Sequence, residues 1–125
     1  MLNDAPVFTI LLSVDMAASR AFYHDILGFE VLSESDERIM LRCGGGTQIA
    51  ISRSTIGTSD SQTQCAWRVP DIHAAVADLR ARGVHIEDYG EPNPTVDGVA
   101  DMGHSWAAWF IDPSRNVLSV VQPKG

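Results

Sequence analysis

The feature that most constrains the fold is a strand–helix–strand pattern that the sequence contains twice. In each copy an apolar run ends at an aspartate, an apolar helical stripe follows, and a glycine ends that stripe. Val14 and Gly28 in the first copy have the same separation as Val69 and Gly83 in the second. An internal repeat of this kind predicts two structural units of one type within the chain.

The first copy is predicted to hold one helix and four strands. Val7–Val14 is rich in β-branched and apolar residues and is too short for a typical helix, which favours a strand. Asp15 is a candidate N-cap for a helix over Met16–Leu27, and Gly28 is the type of residue that ends a helix. The other predicted strands are Phe29–Leu32, Arg38–Cys43 and Gln48–Ser52, with a bend at Gly44–Gly46.

The second copy repeats this order. Gln64–Val69 predicts a strand, and Asp71 is the candidate N-cap of a helix that Gly83 ends. The apolar stripe of this helix consists of Ile72, Val76 and Leu79. The later strands are predicted at Val84–Ile86, Ser105–Ile111 and Val117–Val121.

Two connections in the second copy are informative. The segment Tyr89–Gly103 is long and lacks a clear periodicity, which is typical of a lid or a binding loop. Its acidic residues, at positions 91, 97 and 101, favour a cationic ligand at the mouth of a site. Asp112-Pro113 predicts a tight turn before the last strand, and Asn116, which tolerates a left-handed backbone, leads into that strand.

These patterns predict an α+β protein made of two tandem βαβββ modules. We expect one domain over residues 1–125, with modules at 6–53 and 63–123 and a polar linker at 54–62. One helix covers only one face of its sheet, so the other face of each sheet is left for something else. We expect the two sheets to curl around a shared cleft.

Composition excludes several partners and compartments. The net charge of −7, with a single lysine, argues against nucleic acid, whose phosphates require clustered Lys and Arg. No apolar run approaches the length of a membrane span, and no signal peptide is recognised. Two cysteines do not form a disulfide framework. We therefore expect a cytoplasmic protein with no membrane association.

Three segments carry a resemblance to a known family. They read SRAFYHDILGFEVL from Ser19, VPDIHAAVADLRARGV from Val69, and WFIDPSRNVLSVVQ from Trp109. The chain resembles the vicinal oxygen chelate superfamily from about Val7 to Gln122. That superfamily contains glyoxalase I, the fosfomycin and bleomycin resistance proteins and extradiol dioxygenases. The resemblance implies its paired-sheet fold but no single activity, because this fold hosts both enzymes and binding proteins.

The resemblance also identifies where a metal site is expected. Metal-using members place one ligand on each of four strands, and these positions correspond here to Phe8, Ala50, Gln64 and Ser119. The first two have no donor atom, and an amide or a neutral hydroxyl is a weak ligand for a transition metal. A shift of one residue along any strand does not rebuild the site. We therefore expect no metal and no other cofactor.

Strand alternation, combined with the resemblance, predicts a mostly apolar cleft. The predicted ligand-binding residues are Phe8, Arg42, Gln64, Arg68, Trp109 and Ser119. The other predicted lining residues are Ile10, Leu12, Met40, Ala50, Ala66 and Val117. Such a lining is typical of small-molecule sites, and an indole can stack on a planar or cationic ligand. The alternative is that the aromatic residues fill a core and that the arginines are solvated partners of carboxylates.

The favoured hypothesis is a bleomycin-resistance-type protein that lacks the usual metal site and binds a small aromatic or cationic molecule, as in antibiotic sequestration. The alternative is a lyase, isomerase or dioxygenase-like enzyme that acts on a small carbonyl or aromatic substrate with unorthodox ligands or no metal. For that alternative His104, at the end of the long loop, is the candidate catalytic residue. A third hypothesis is a structural or regulatory dimer without a ligand. By resemblance we expect a homodimer.

Overall fold

A computed structural model describes all 125 residues, which form two compact units, Met1–Ser59 and Asp60–Gly125. Each unit contains one mixed β-sheet and one main helical segment that packs on a face of that sheet. No helix combines the length and the apolar character needed to cross a bilayer. The predicted α+β class with two small sheets is confirmed, although the second sheet has five strands rather than the predicted four.

The first unit has a four-stranded sheet in the order β1-β4-β3-β2. Its strands are β1 (Thr9–Ser13), β2 (Glu30–Glu34), β3 (Arg38–Arg42) and β4 (Gln48–Arg53). β1 runs parallel to β4, and the other pairs are antiparallel. Alternation decides what is buried, because Leu11 of β1, Ile51 of β4 and Ile39 of β3 share a row across the sheet and are nearly inaccessible to solvent.

The helical segment of the first unit differs from the predicted single α-helix over Met16–Leu27. An α-helix, α1 (Met16–Arg20), is capped by Asp15 and continues as a π-helix over Ala21–Ile26. The wider π turns bring the adjacent residues Phe22 and Tyr23 into the core, where their rings meet edge to face at 5.0 Å. The helical periodicity of the sequence does not distinguish these two helix types.

The second unit has a five-stranded sheet in the order β5-β9-β8-β7-β6. Its elements are β5 (Thr63–Arg68), α2 (Ile72–Ala81), β6 (Thr95–Val96), β7 (Val99–Asp101), β8 (Ser105–Ile111) and β9 (Val117–Pro123). The Asp71 carboxylate accepts hydrogen bonds from the first turn of α2, and the Gln122 side chain accepts a further one from the Ile72 amide. The predicted stripe of α2 is buried.

The strand predicted at Val84–Ile86 is absent. Val84 and Ile86 are buried and His85 between them is exposed, so the alternation that suggested a strand is real. One hydrogen bond, from the Glu87 amide to the Trp109 carbonyl, joins the end of this segment to β8. The alternation of this segment therefore reflects the burial of Val84 and Ile86 and not pairing with a neighbouring strand.

The long connection over Tyr89–Gly103 is more ordered than expected, because it contains the hairpin of β6 and β7. Asp97 and Gly98, at φ 53° and φ 82°, form its two-residue turn. A Cβ atom on Gly98 would lie 2.7 Å from the Ile86 side chain, so this position requires glycine for space as well as for conformation. The Asp-Gly pair between two valines is the sequence signal for this hairpin.

The turn between β8 and β9 is held by one buried carboxylate. Asp112 is 5 % exposed and accepts hydrogen bonds from the Ser114 amide, the Asn116 amide and the Asn116 side chain, at 2.8–2.9 Å. The left-handed residue is Arg115, at φ 68°, rather than Asn116. Because Asn116 forms three hydrogen bonds with Asp112, the left-handed step falls one residue earlier.

We predict that Asp112→Ala lowers the free energy of unfolding by about 2–4 kcal/mol, since it removes three hydrogen bonds from a buried site. Urea denaturation measures this difference. Asp25→Ala is the matched control, because Asp25 is mostly exposed and lies 3.9 Å from its arginine partner. We expect the control to change stability by less than about 0.5 kcal/mol. Equal effects of the two substitutions would contradict the role assigned to Asp112.

Candidate functional site

The strongest candidate site is a cavity of about 580 Å³ in the second unit. This volume falls within the range of about 300–1,000 Å³ that is typical of small-molecule sites. Strands β5, β8 and β9 contribute one wall, and the segment that follows α2 contributes another. The lining residues are Ser61, Gln62, Thr63, Tyr89, Gly90, Glu91, Pro92, Asn93, Met102, Trp109 and Val117.

Trp109 is the largest side chain in this lining, and its orientation is defined by two contacts. Alternation along β8 buries Phe110 on one face of the sheet and places Trp109 on the other, where it is partly accessible. The indole Nε1–H donates a hydrogen bond to Thr63 Oγ1 at 3.1 Å. The Tyr89 ring meets the indole at 84° with 5.5 Å between the centroids. The indole is thus held in place without being fully buried.

Tyr89 is the second aromatic side chain of the lining, and its phenol has a perturbed acidity. Partial burial raises the pKa of Tyr89, and the negative charge of Glu87 raises it further. The amide of Tyr89 donates to Thr95 Oγ1 at 2.9 Å, and its carbonyl accepts from the Thr95 amide. The residue is therefore anchored to β6 by its backbone while its ring remains in the cavity.

Glu91 is the one charged residue in the lining. It is exposed and forms no salt bridge, so its carboxylate is available to a ligand. The other two acids of the same segment are already paired. Asp97 contacts Arg80 at 3.1 Å, and Asp101 contacts Lys124 at 2.6 Å. Of the three loop acids that suggested a cationic ligand, Glu91 alone remains available to the cavity.

The residues at the four expected metal-ligand positions do not fit a metal. In the second unit, Ser119 is 2 % exposed and its hydroxyl donates to the backbone carbonyl of Ala108 at 3.0 Å. Gln64 is exposed, and its amide nitrogen donates to the Gln62 carbonyl. In the first unit, Phe8 and Ala50 have no donor atoms. Nowhere do three or more His, Cys, Asp or Glu side chains group closely enough to hold a metal ion.

The first unit presents an apolar sheet face away from its helix. Phe8, Ile10 and Leu12 are 49 %, 56 % and 36 % exposed. Along this face, the guanidinium of Arg42 donates to the Glu30 carboxylate at 2.8 Å, and both side chains are largely solvent-exposed. Phe8 and Arg42 therefore belong to this open face. The pairing of Arg42 with Glu30 agrees with the alternative interpretation, in which the arginines are solvated partners of carboxylates.

The remaining predicted residues lie away from the Trp109 cavity. Arg68 lines a smaller cavity of about 350 Å³ with residues that include Val69 and Gln122. His104 is exposed in the turn between β7 and β8, and its backbone carbonyl accepts a hydrogen bond from the Lys124 amide. The structure brings no second titratable side chain into a hydrogen bond or ion pair with the His104 imidazole.

A cavity of about 530 Å³ also lies in the first unit, beside the start of α1. Its two arginines are engaged with acids, because Arg20 bonds both oxygens of Glu34 and Arg53 lies 3.9 Å from Glu37. The hydrogen bond and charge of Glu34 raise the pKa of Arg20 above its usual value. The lining of this cavity contains no aromatic side chain, so it offers no ring on which a flat ligand could stack.

Most lining residues of the Trp109 cavity were not identified from the sequence as ligand contacts, among them Thr63, Tyr89 and Met102. Thr63 pairs with Val117 through a shifted register, so its position relative to the indole depends on strand pairing. Tyr89 and Met102 lie near the ends of the segment that was predicted to form a lid. The sequence predicted that this segment is a lid or a binding loop. It did not predict the contact of Tyr89 with Trp109, because no spacing along the chain relates the two residues.

Comparison with known proteins gives one family. Residues 7–120 match the family described as the Glyoxalase/Bleomycin resistance protein/Dioxygenase superfamily. A search of curated proteins finds no match. The family match confirms the resemblance that the three sequence segments carry.

Solved structures with the same fold include binding proteins. A bleomycin resistance determinant encoded on the transposon Tn5 is 18 % identical with a TM-score of 0.75, and the match covers 97 % of this chain and 99 % of that one. TnmS3, an antibiotic binding protein from Streptomyces sp. CB03234, is 20 % identical with a TM-score of 0.70, covering 97 % and 98 %. A glyoxalase family protein from Enterococcus faecalis is 21 % identical with a TM-score of 0.71, covering 97 % and 99 %. At these identities the similarity establishes the fold.

We predict that Tyr89 titrates above the ordinary tyrosine pKa of about 10. Because the folded state favours the neutral phenol, the stabilisation from this shift is present below the unfolded-state pKa and is lost as the pH rises through the raised pKa. A pH titration of tyrosinate absorbance in a Tyr23→Phe variant measures the pKa of Tyr89. The variant is needed because the chain has two tyrosines. Adding Glu87→Gln should move the titration midpoint of Tyr89 back towards the ordinary tyrosine value. A midpoint at the ordinary value in the Tyr23→Phe variant itself would refute the shift.

Proposed function

Since this chain belongs to the glyoxalase/bleomycin resistance protein/dioxygenase superfamily, we propose that it binds a small, flat, positively charged molecule in the Trp109 cavity. The observation that supports this most directly is that a held indole and a carboxylate without a salt bridge line the same cavity. Trp109 is oriented by Thr63 and Tyr89, and Glu91 is the one charged group among the lining residues. A π face and an unpaired negative charge together favour an aromatic cation.

The indole provides most of the binding energy in this proposal. A cation over a tryptophan ring gains about 0.5–2 kcal/mol, and the gain is larger where water is excluded. Because the hydrogen bond to Thr63 and the contact with Tyr89 already restrict the ring, little side-chain entropy remains to be lost on binding. The amides of Gln62 and Asn93 then offer donors and acceptors at the cavity wall for polar groups of the ligand.

Antibiotic sequestration is the biological role that we propose for this binding. Structures with this fold include a bleomycin-binding protein complexed with bleomycin and the antibiotic binding protein TnmS3. A binding protein of this kind needs a cavity and a stacking surface, but it needs no reacting groups. The ligand-binding residues proposed for the cavity are Trp109, Tyr89 and Glu91. We also propose that binding requires no metal, since the four expected ligand positions offer no strong donor.

The proposal that binding requires no metal can be tested independently of the proposed ligand. Elemental analysis of protein purified without chelators should show less than stoichiometric zinc, nickel, manganese and iron. A stoichiometric divalent ion would favour the enzymatic alternative instead, because a bound metal supplies the Lewis acid used in that chemistry. Thermal-shift measurements with cationic glycopeptide and aromatic antibiotics address sequestration directly, and no stabilisation by any of them would contradict it.

We further propose a homodimer in which a second copy covers the open face of the first sheet. The exposed apolar side chains Phe8, Ile10 and Leu12 form a contiguous row along one edge strand, which is unusual for a surface that faces water.

Light scattering tests the dimer. We predict twice the 13.6 kDa chain mass at micromolar concentration. Ile10→Glu should shift the mass towards that of one chain, because it places a charge in the covered face. Glu37→Gln, on an exposed side chain of the same unit, is the control. A single-chain mass for the unmodified protein would refute the dimer.

We predict that Trp109→Ala weakens binding of 9-aminoacridine, a flat cation, by about tenfold, which corresponds to about 1.4 kcal/mol. Fluorescence titration at neutral pH measures the affinity. Trp109→Phe should retain part of the binding, because a smaller ring still stacks. Acridine has the same shape but is largely uncharged at neutral pH, so comparing the two dyes isolates the contribution of charge.

Glu91→Gln tests the contribution of the cavity carboxylate to binding, and Glu37→Gln is its matched control. Glu91→Gln should reduce the preference for 9-aminoacridine over acridine, whereas Glu37→Gln should leave it unchanged because Glu37 belongs to the other unit. Binding that is insensitive to Trp109→Ala would place the dye elsewhere and would contradict the proposed site. Failure of the unmodified protein to bind either dye would contradict the proposed ligand class.

A further inference from the structure

Several contacts converge on Lys124, just beyond the last strand. The ammonium of Lys124, the single lysine of the chain, lies 2.6 Å from Asp101 Oδ1. It also lies 4.1 Å from the centroid of the Trp106 ring, which places a cation over a π face. The backbone amide of Lys124 donates to the His104 carbonyl at 3.0 Å. One residue thus contacts both strands that flank the turn between β7 and β8.

This turn is tightly defined around Asp101. The carboxylate that contacts Lys124 also accepts a hydrogen bond from the Gly103 amide at 2.9 Å. The Met102 amide donates to the Ser105 carbonyl at 2.8 Å, which closes the turn. The hydrogen bonds from Lys124 and Gly103 lower the pKa of Asp101, so the carboxylate stays charged at neutral pH.

Met102, the next residue after Asp101, lines the Trp109 cavity. Successive residues of a strand point to opposite faces of the sheet. Asp101 and Trp106 are register partners, and they share the face on which Lys124 lies. Met102 is the first residue after β7, and it lines the same cavity as Trp109. An ion pair on one face therefore restrains the backbone that presents a thioether to the cavity.

We propose that Lys124 is a positioning residue for the ligand cavity, because its contacts with Asp101 and Trp106 place the Met102 side chain at the cavity wall. This inference rests on the proposed ligand-binding function of the cavity. Met102 would contact a flat ring through its thioether, which packs well against aromatic groups. Lys124 itself does not touch the ligand, because it is not among the lining residues.

The position of Met102 can be measured without any ligand. The chain has four methionines, so methionine methyl ¹³C NMR gives four resolved probes, and Met102→Leu assigns the relevant signal. Lys124→Gln should shift or broaden the Met102 methyl signal and leave those of Met16 and Met40 unchanged. Lys124→Arg should restore the signal, because a guanidinium can pair with the carboxylate and stack on the indole. An unchanged Met102 signal in Lys124→Gln would overturn the proposal.

The effect on binding is tested with 9-aminoacridine as the probe. Lys124→Gln should weaken its binding by about threefold, as expected for loss of one exposed ion pair with its ring contact. In a Met102→Ala background the same substitution should have no further effect, since its effect is transmitted through Met102. Arg82→Gln, which removes another exposed ion pair at 3.0 Å, is the control and should bind like the unmodified protein.

The outcomes separate this inference from the proposed function. If the unmodified protein binds the dye and Lys124→Gln binds equally well, the inference fails and the proposed function stands. If Lys124→Gln weakens dye binding equally with and without Met102→Ala, its effect is a general destabilisation, and the inference is also overturned. If the unmodified protein does not bind the dye, the proposed function fails, and the NMR comparison alone then decides whether Lys124 positions Met102.

Discussion

The rest of the structure depends on a single constraint, which is that each sheet has a helix on only one of its faces. Alternation along the strands therefore sorts every strand residue into a covered set and an uncovered set. In the first unit the uncovered set is apolar at β1 and remains accessible to solvent. In the second unit it includes Trp109, which lines a cavity of ligand size. The proposed function therefore depends on an uncovered face together with the loop beside it.

The polar groups on the uncovered faces are mostly engaged in structural contacts. The Ser119 hydroxyl bonds a neighbouring carbonyl, and Arg42 pairs with a glutamate on the adjacent strand. Trp109 and Glu91 differ from them, because one presents a partly accessible ring and the other an unpaired carboxylate. This contrast favours binding by stacking and charge over chemistry at a coordinated ion. The fold itself does not decide between these uses, because one scaffold can host unrelated functions.

The elements that could be predicted were those with a local signal. The repeat, the positions of β8 and α2, and the opposite orientations of Trp109 and Phe110 follow from short-range periodicity. The errors came from competing local signals. The Val84–Ile86 segment alternates like a strand without pairing as one, and the Asp-Gly turn of the β6–β7 hairpin lies in a segment of weak periodicity.

The candidate site could be predicted only in part, for a physical reason. Trp109 was identified because its side of the strand follows from alternation and the family resemblance. Its hydrogen-bond partner Thr63 lies 46 residues away in the sequence, and the pairing of β5 with β9 brings it to the same cavity. The amino-acid order thus determined which side chains leave the helix-covered face. The pairing of distant strands decided which of them meet, because register is set by long-range packing rather than by spacing along the chain.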